Sequence, residues 1–330
     1  MTSRGVVLMI FERLHSVFLV KGLVILTALI GWGGGTSWAT EMVLPPGDLD
    51  LVGELRYTES SQEDTLLDIA RRYGVGRDEI VNANPKVDPW LPGEGTQVLL
   101  PIRYILPNVP REGLVVNLPE MRMFYFPPAV AGRPRRLITY PVSVGRMDWK
   151  TPLGITRILA KQANPVWRPP ASVRREHLEQ GDDPLPEMVP AGPDNPLGQY
   201  ALRLAIPGYL MHGTNKPFGI GMRVTHGCMR LYPEDIERLF REVAVNTQVN
   251  LVNEPVKLGW LADTLFVEVH PPLEEDTELQ AHLLRYTLGL IHTERERRPF
   301  VLDGMALRQA VEQRLGIPVP VTQGPTLGAL

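Results

Sequence analysis

The sequence predicts a mainly β protein with a small α+β module ahead of its larger β portion. Three observations predict it. Thirty-two prolines and 30 glycines in 330 residues are too many for a helical bundle and suit a loop-rich chain. From Leu114 onward the apolar residues recur at every second position, the period of a strand. Between Glu54 and Pro101 the pattern instead runs strand, helix, helix, strand. The length fits two domains or one large one. Hydrophobic residues at 44% against 22% charged supply a core and exclude a disordered chain. A net charge of −3 gives no sign of a nucleic-acid binder. One cysteine excludes an intrachain disulfide and a cysteine-only zinc cage.

Residues 1–39 read as an export signal rather than as part of the fold. Arg4, Arg13 and Lys21 form a basic start, and Gly22 to Trp32 is an apolar stretch. That stretch is shorter than the roughly 20 residues that span a bilayer comfortably. Ser37-Trp38-Ala39 offers small residues at the two positions a signal peptidase reads, which favours cleavage after Ala39. The alternative is an uncleaved anchor, because apolar residues also fill Val17 to Val20. Either way the remainder is exported.

In residues 54–101, Glu54 to Thr58 alternates as a strand. Thr65-Leu66-Leu67-Asp68 has the hydroxyl and acid of a capping box. Leu66, Ile69, Ala70 and Tyr73 then line one helix face, and Gly74 stops it. A second helix runs from about Arg77 to Ala83 and ends at Asn84-Pro85. Leu91-Pro92-Gly93-Glu94-Gly95 turns into a closing strand, Gln97 to Pro101. Tyr57, Asp64-Thr65-Leu66, Ile69-Ala70, Tyr73, Asn84-Pro85, Pro92-Gly93 and Val98 to Pro101 together resemble a LysM module. The resemblance implies a βααβ unit that binds N-acetylglucosamine-containing glycans such as peptidoglycan. A spacer without a ligand is the plain alternative.

Residues 110–254 carry the β pattern. Leu114 to Leu118 and Met121 to Phe126 read as two strands joined at Pro119-Glu120. Further strands are expected at Arg136 to Val144, Thr156 to Ala160, Ala201 to Ala205, Tyr209 to His212 and Gln248 to Val252. One helix is expected, with Pro233, Glu234 and Asp235 in its first turn and Ile236, Leu239, Phe240 and Val243 on one face. Eight prolines lie between Asn164 and Leu197, which reads as a long loop. Such a loop is either a surface excursion or a wall over a site. In residues 255–330, Thr264 to Val269 reads as a strand. Leu279, Leu283, Tyr286 and Leu290 suggest a helix, and Leu307, Val311 and Leu315 a second. The Gly- and Pro-containing tail after Pro320 reads as disordered, and the whole piece as a small appendage.

The chemistry concentrates in Met211-His212-Gly213-Thr214-Asn215 and Thr225-His226-Gly227-Cys228-Met229-Arg230. A free thiol has a pKa of about 8.5 and needs a base to become a nucleophile near neutral pH. An imidazole can take its proton, and Arg230 nearby would favour the anion. Gly227 lets the backbone turn so that N–H groups face a developing oxyanion. His212, His226 and Cys228 are also zinc-ligand types, but no fourth ligand accompanies them. A buried structural cysteine is the other bland reading. Gly219-Ile220-Gly221 is not a nucleotide loop, because position 224 is Val and the stretch does not open a helix.

These two segments resemble the YkuD-type L,D-transpeptidase motif, in which a His-Gly pair precedes Ser/Thr-His/Ser-Gly-Cys-apolar-Arg/Asn. Thr151 to Gly154, Asn164 to Trp167, Asn195 to Gly198 and Phe218 to Gly221 support the likeness, which covers roughly residues 112–254. The resemblance implies a β-rich sandwich with the cysteine on the rim of a cleft. It implies Cys228 as nucleophile, His212 as its base, and the Gly213 carbonyl orienting the imidazole. The oxyanion would be held by N–H groups around Gly227 and Cys228. Arg230 would hold substrate carboxylates, and His226 would shape the loop or touch substrate. No metal or organic cofactor is implied. The implied reaction is acyl transfer in the periplasm on peptidoglycan tetrapeptide stems. The acceptor is a second stem, giving a 3→3 crosslink, a lysine of an outer-membrane lipoprotein, or water, giving a carboxypeptidase. Two other readings remain: a hydrolase of the same fold cutting lipoprotein–peptidoglycan or stem-peptide links, and a wall-binding protein with an inactive catalytic domain.

Overall fold

In the computed structural model, which describes residues 39–44 and 49–322, the first strands are β1 (Thr40–Val43) and β2 (Leu51–Gly53). Apart from Ala39, the segment read as an export signal lies outside the described residues. Among the described residues no helix is long and apolar enough to cross a membrane. The strand-helix-helix-strand pattern folds as β3 (Arg56–Glu59), α1 (Leu66–Arg72), α2 (Arg77–Ala83) and β4 (Gln97–Leu100). The Asp68 N–H donates to Thr65 Oγ1 at 3.1 Å, and the Thr65 N–H donates to Asp68 Oδ2 at 3.0 Å, the reciprocal cap legible in the sequence. Two seven-residue helices are too short to be stable alone. They persist because Leu66, Ile69, Ala70 and Ile80 bury one shared face against Val98 and Leu100. β5 (Arg103–Ile105) then pairs with β2.

The period-2 region supplies β6 (Gly113–Asn117), β7 (Arg122–Phe126), β8 (Arg136–Pro141), β9 (Val144–Gly145) and β10 (Gly154–Ala163). The proline-rich stretch expected to be a loop contains a helix, α3 (Ala171–Glu179), which starts directly after Pro169-Pro170. Its pattern was invisible to a search for apolar periodicity because none of its residues is buried. β11 (Tyr200–Leu204), β12 (Leu210–His212), β13 (Arg223–Thr225), β14 (Met229–Arg230), α4 (Pro233–Glu242) and β15 (Gln248–Val252) follow. Nine strands form one sheet in the order β1-β8-β7-β6-β15-β10-β11-β12-β14. A register shift between Ile158 and Ala160 of β10 interrupts its ladder with β11. Val116, Met123 and Tyr140 of the sheet share one core with Ile236 and Leu239 of α4 and with Val243, which follows it.

The C-terminal piece has a core of its own. β16 (Val256–Leu261) and β17 (Thr264–Val269) form a hairpin. The single helix expected through Leu279 to Leu290 is broken at His282 into α5 (Thr277–Ala281) and α6 (Leu283–Arg297). Then come α7 (Gly304–Gln313) and β18 (Val319–Pro320), which pairs with β17. The tail after Pro320 does not begin as disorder: Val321 is wholly buried, and its N–H donates to the Leu265 carbonyl at 2.8 Å. Residues 323–330 lie outside the described residues.

Residues 54–101 are not a bead on a linker. Arg122 of β7, wholly buried, donates to both carboxylate oxygens of Glu79 on α2, at 2.8 and 2.7 Å, and to the Gly74 carbonyl at 3.1 Å. Arg71 makes a second forked pair with Glu234 on α4. The backbone N–H groups of Arg77 and Asp78 donate to the carbonyls of Ile220 and Gly221. Only glycine fits at 221: a Cβ there would lie 2.4 Å from the Gly76 Cα, and its φ is +83°. The module therefore sits on the segment that leads into Thr225 and Cys228.

Candidate active site

Strand geometry assembles the site. β12 and β14 run parallel, with His212 opposite Arg230 and Met211 opposite Met229. Side chains alternate along a strand, and paired residues point to the same face. Cys228, which leads into β14, and Arg230 therefore lie on the face that His212 also occupies. Met211 and Met229 point the other way, into the core, both wholly buried.

His212 is buried, and its Nδ1 lies 2.7 Å from the Gly213 carbonyl. A carbonyl only accepts, so Nδ1 carries the proton and Nε2 has the lone pair. Burial, then the Arg230 charge, pushes the His212 pKa down to about 3, so the imidazole is neutral at physiological pH. The Cys228 thiol is half-buried, with Sγ 3.7 Å from the Gly208 carbonyl. Burial raises its pKa, outweighing the lowering by the Leu210 backbone and Arg230. The sequence suggested that Arg230 would favour the thiolate. Its effect has that sign but is the smallest of the three, and burial outweighs it.

Gly227 has φ +95°, and a Cβ on it would meet the Tyr209 ring at 2.7 Å, so the turn before Cys228 requires glycine. Its N–H is committed to Thr225 Oγ1 at 3.2 Å. That corrects the expectation that this N–H is available to an oxyanion. The same hydroxyl donates to the Cys228 carbonyl at 2.5 Å. Thr151 Oγ1 donates to the Gly227 carbonyl and accepts the Gly145 N–H, both at 2.9 Å. The turn is thus held from two sides by buried threonines.

The chain resembles known proteins over most of its length. Residues 111–251 match the YkuD family, the L,D-transpeptidase catalytic domain. The chain is 39% identical to the probable L,D-transpeptidase YcfS of Escherichia coli, over 84% of this chain and 87% of that protein. It is 38% identical to the probable L,D-transpeptidase ErfK/SrfK of Salmonella typhimurium, over 87% and 93%, and 38% to YbiS of E. coli, over 86% and 92%. The chain belongs to the L,D-transpeptidase family.

Other side chains surround the turn that carries Cys228. His226 Nε2 lies 2.8 Å from the Glu176 carboxylate, and Trp149 packs its ring edge-on against the imidazole at 5.1 Å. Burial and the charges of Arg146 and Arg230 push the His226 pKa down, so Nε2–H is the donor to Glu176. Glu176 also pairs with Arg146. Asn195, wholly buried, donates to the carbonyls of Pro165 and Pro190 and accepts the Leu197 N–H, which knots the two ends of the proline-rich stretch together. The sequence pointed near Thr151 and Asn195 through the segments that contain them. It gave no sign of Arg146, Trp149 or Glu176, whose roles come from side chains meeting across the fold.

The closest grouping of metal-ligand types among the described residues is Glu120, Glu268 and His270, away from His212, His226 and Cys228. Lys257 Nζ lies 2.8 Å from both carboxylates there, so its ammonium already fills the cation's place.

Proposed function

We propose that the protein is an exported, cysteine-dependent transpeptidase acting on peptidoglycan tetrapeptide stems in the periplasm. The observation that carries this is the His212 tautomer. Nδ1–H is fixed on the Gly213 carbonyl, which leaves the Nε2 lone pair to accept a proton, and His212 lies on the strand face that holds Cys228. Cys228 and His212 rest as a neutral pair, so His212 takes the thiol proton as sulfur attacks. The Sγ–C bond forms at the L-centre carbonyl of diaminopimelate. The Cys228 N–H stabilises the oxyanion in place of the committed Gly227 N–H. Collapse breaks the C–N bond to the terminal D-alanine, whose amine leaves with the proton from His212. The thioester is then attacked by an amine, which yields its proton to His212 and releases the thiol. A neighbouring diaminopimelate gives a 3→3 crosslink, and a lipoprotein lysine gives a protein anchored to the wall. Residues 54–101 act as a LysM-like wall-binding module, fixed against the catalytic part by Arg122–Glu79.

The test is mass spectrometry of products from disaccharide-tetrapeptide with the purified protein and its Cys228→Ala variant. The expected product is a dimer that has lost D-alanine and depends on Cys228. Tripeptide alone would assign water as the default acceptor and point to a missing amine. Unchanged tetrapeptide would overturn the transpeptidase reading in favour of wall binding alone or a different hydrolytic substrate.

A further inference from the structure

We propose that Arg146 and His226 form a subsite for a substrate carboxylate, and that Glu176 of α3 is its resident occupant until substrate displaces it. The inference rests on the transpeptidase reading for the identity of the substrate. A tetrapeptide stem ends in a free D-alanine carboxylate, three bonds from the carbonyl that Cys228 attacks.

The subsite is built on the catalytic turn itself. His226 stands two residues before Cys228, and the Arg146 N–H donates to the Thr225 carbonyl at 3.2 Å. Trp149 closes the side of the His226 ring. Into this notch α3 delivers one carboxylate, with one oxygen on the Arg146 guanidinium and the other on His226 Nε2–H. Arg146 Nε is buried and has no hydrogen-bond partner. A guanidinium satisfies a carboxylate best when two of its N–H groups fork onto both oxygens. Glu176 leaves that capacity unused.

The occupant is also poorly anchored. α3 has no buried residue, so Glu176 can withdraw without opening a core. The stretch that carries α3 is secured elsewhere, by the Trp167–Val189 bridge and by Asn195. Beside the notch, between α3 and the Arg146–Trp149 turn, lies an open cavity of about 470 Å³. It has room for the segment of substrate that would bring the carboxylate in. Exchanging one carboxylate for another keeps the half-buried Arg146 and His226 paired throughout.

The test uses two alkylating agents that differ only in charge near the reacting carbon. Cys228 Sγ displaces iodide from iodoacetate or from neutral iodoacetamide, and the ratio of the two rates reports a carboxylate subsite beside the sulfur. Glu176→Ala is expected to raise the iodoacetate-to-iodoacetamide ratio about 3- to 10-fold, and Glu176→Gln by less. Arg146→Met is expected to lower it by a similar factor. Glu187→Gln, which removes an exposed charge from the same proline-rich stretch and lines none of this cavity, should leave the ratio within about twofold. With tetrapeptide, Glu176→Ala should lower KM with little change in kcat. A ratio unmoved in Glu176→Ala, or an equal rise in Glu187→Gln, would overturn the proposal, as would a ratio preserved in Arg146→Met. Ratios that move as expected while no variant converts tetrapeptide would keep the carboxylate subsite and remove the transpeptidase reading instead.

Discussion

Cys228 rests as a thiol and His212 as a neutral base, and this sets the pH behaviour of the site. Because burial holds His212 near 3, its base form persists well into acid, and the acid limb of kcat/KM should fall well below pH 6. A limb centred near 6.5 would assign the base to an ordinary exposed histidine. A second residue, Asp235 on α4, is wholly buried with neither carboxylate oxygen partnered, and its pKa is pushed up to about 8 by burial and then by Glu234. Between pH 4 and pH 8 the folded state holds a proton that the unfolded chain has released. Stability from this group therefore falls as pH rises through that window. Asp235→Asn should raise the unfolding free energy by about 1–3 kcal/mol at pH 8 and leave it unchanged at pH 4. Urea melts at the two pH values measure this, and an equal gain at both would remove ionisation as the cause.

At the scale of the element, the catalytic turn is a short loop whose conformation is imposed by its neighbours. Thr151, from the loop before β10, bonds Gly145 and Gly227 at once and ties the turn to β9. Thr151→Val keeps the shape but leaves a buried N–H and a buried carbonyl without partners. It should cost about 1–3 kcal/mol of stability and lower kcat about tenfold through misplacement of Cys228. Thr151→Ser should restore both, as read by thermal unfolding and turnover of tetrapeptide. A kcat unaffected in Thr151→Val would show that the β12–β14 ladder alone holds the nucleophile. α3 teaches the complementary lesson: an element with no buried face leaves no hydrophobic period in the sequence, yet its one carboxylate reaches the site.

At the scale of the whole molecule, buried charge joins the parts. Arg122 and Glu79 are paired at the junction of module and sheet, and Lys257 lies between Glu120 and Glu268 where the C-terminal hairpin meets the β6–β7 turn. Removing one member of such a pair strands the other in low dielectric. Arg122→Met should therefore lower the unfolding free energy by about 3–5 kcal/mol, and adding Glu79→Gln should recover part of it. Denaturant unfolding of the two variants measures this. A loss under 1 kcal/mol would mean that water reaches the junction. Wild-type protein should unfold in one transition, because residues 54–101 and the sheet share these contacts.

The sequence alone determined the local elements and the chemistry. The period of 2 located β6, β7 and β15, the Thr65–Asp68 cap located α1, and Pro233 with its following acids located α4. Spacing around His212 and Cys228 pointed to thiol acyl transfer, because these signals depend on residues close in the chain. Tertiary structure decided what depends on distance through space. It set the His212 tautomer, the commitment of the Gly227 N–H and the meeting of Arg146 with Glu176. It also decided which way the Cys228 thiol titrates. Desolvation depends on what packs around a group, and in one dimension the neighbouring Arg230 was visible while the burial that outweighs it was not.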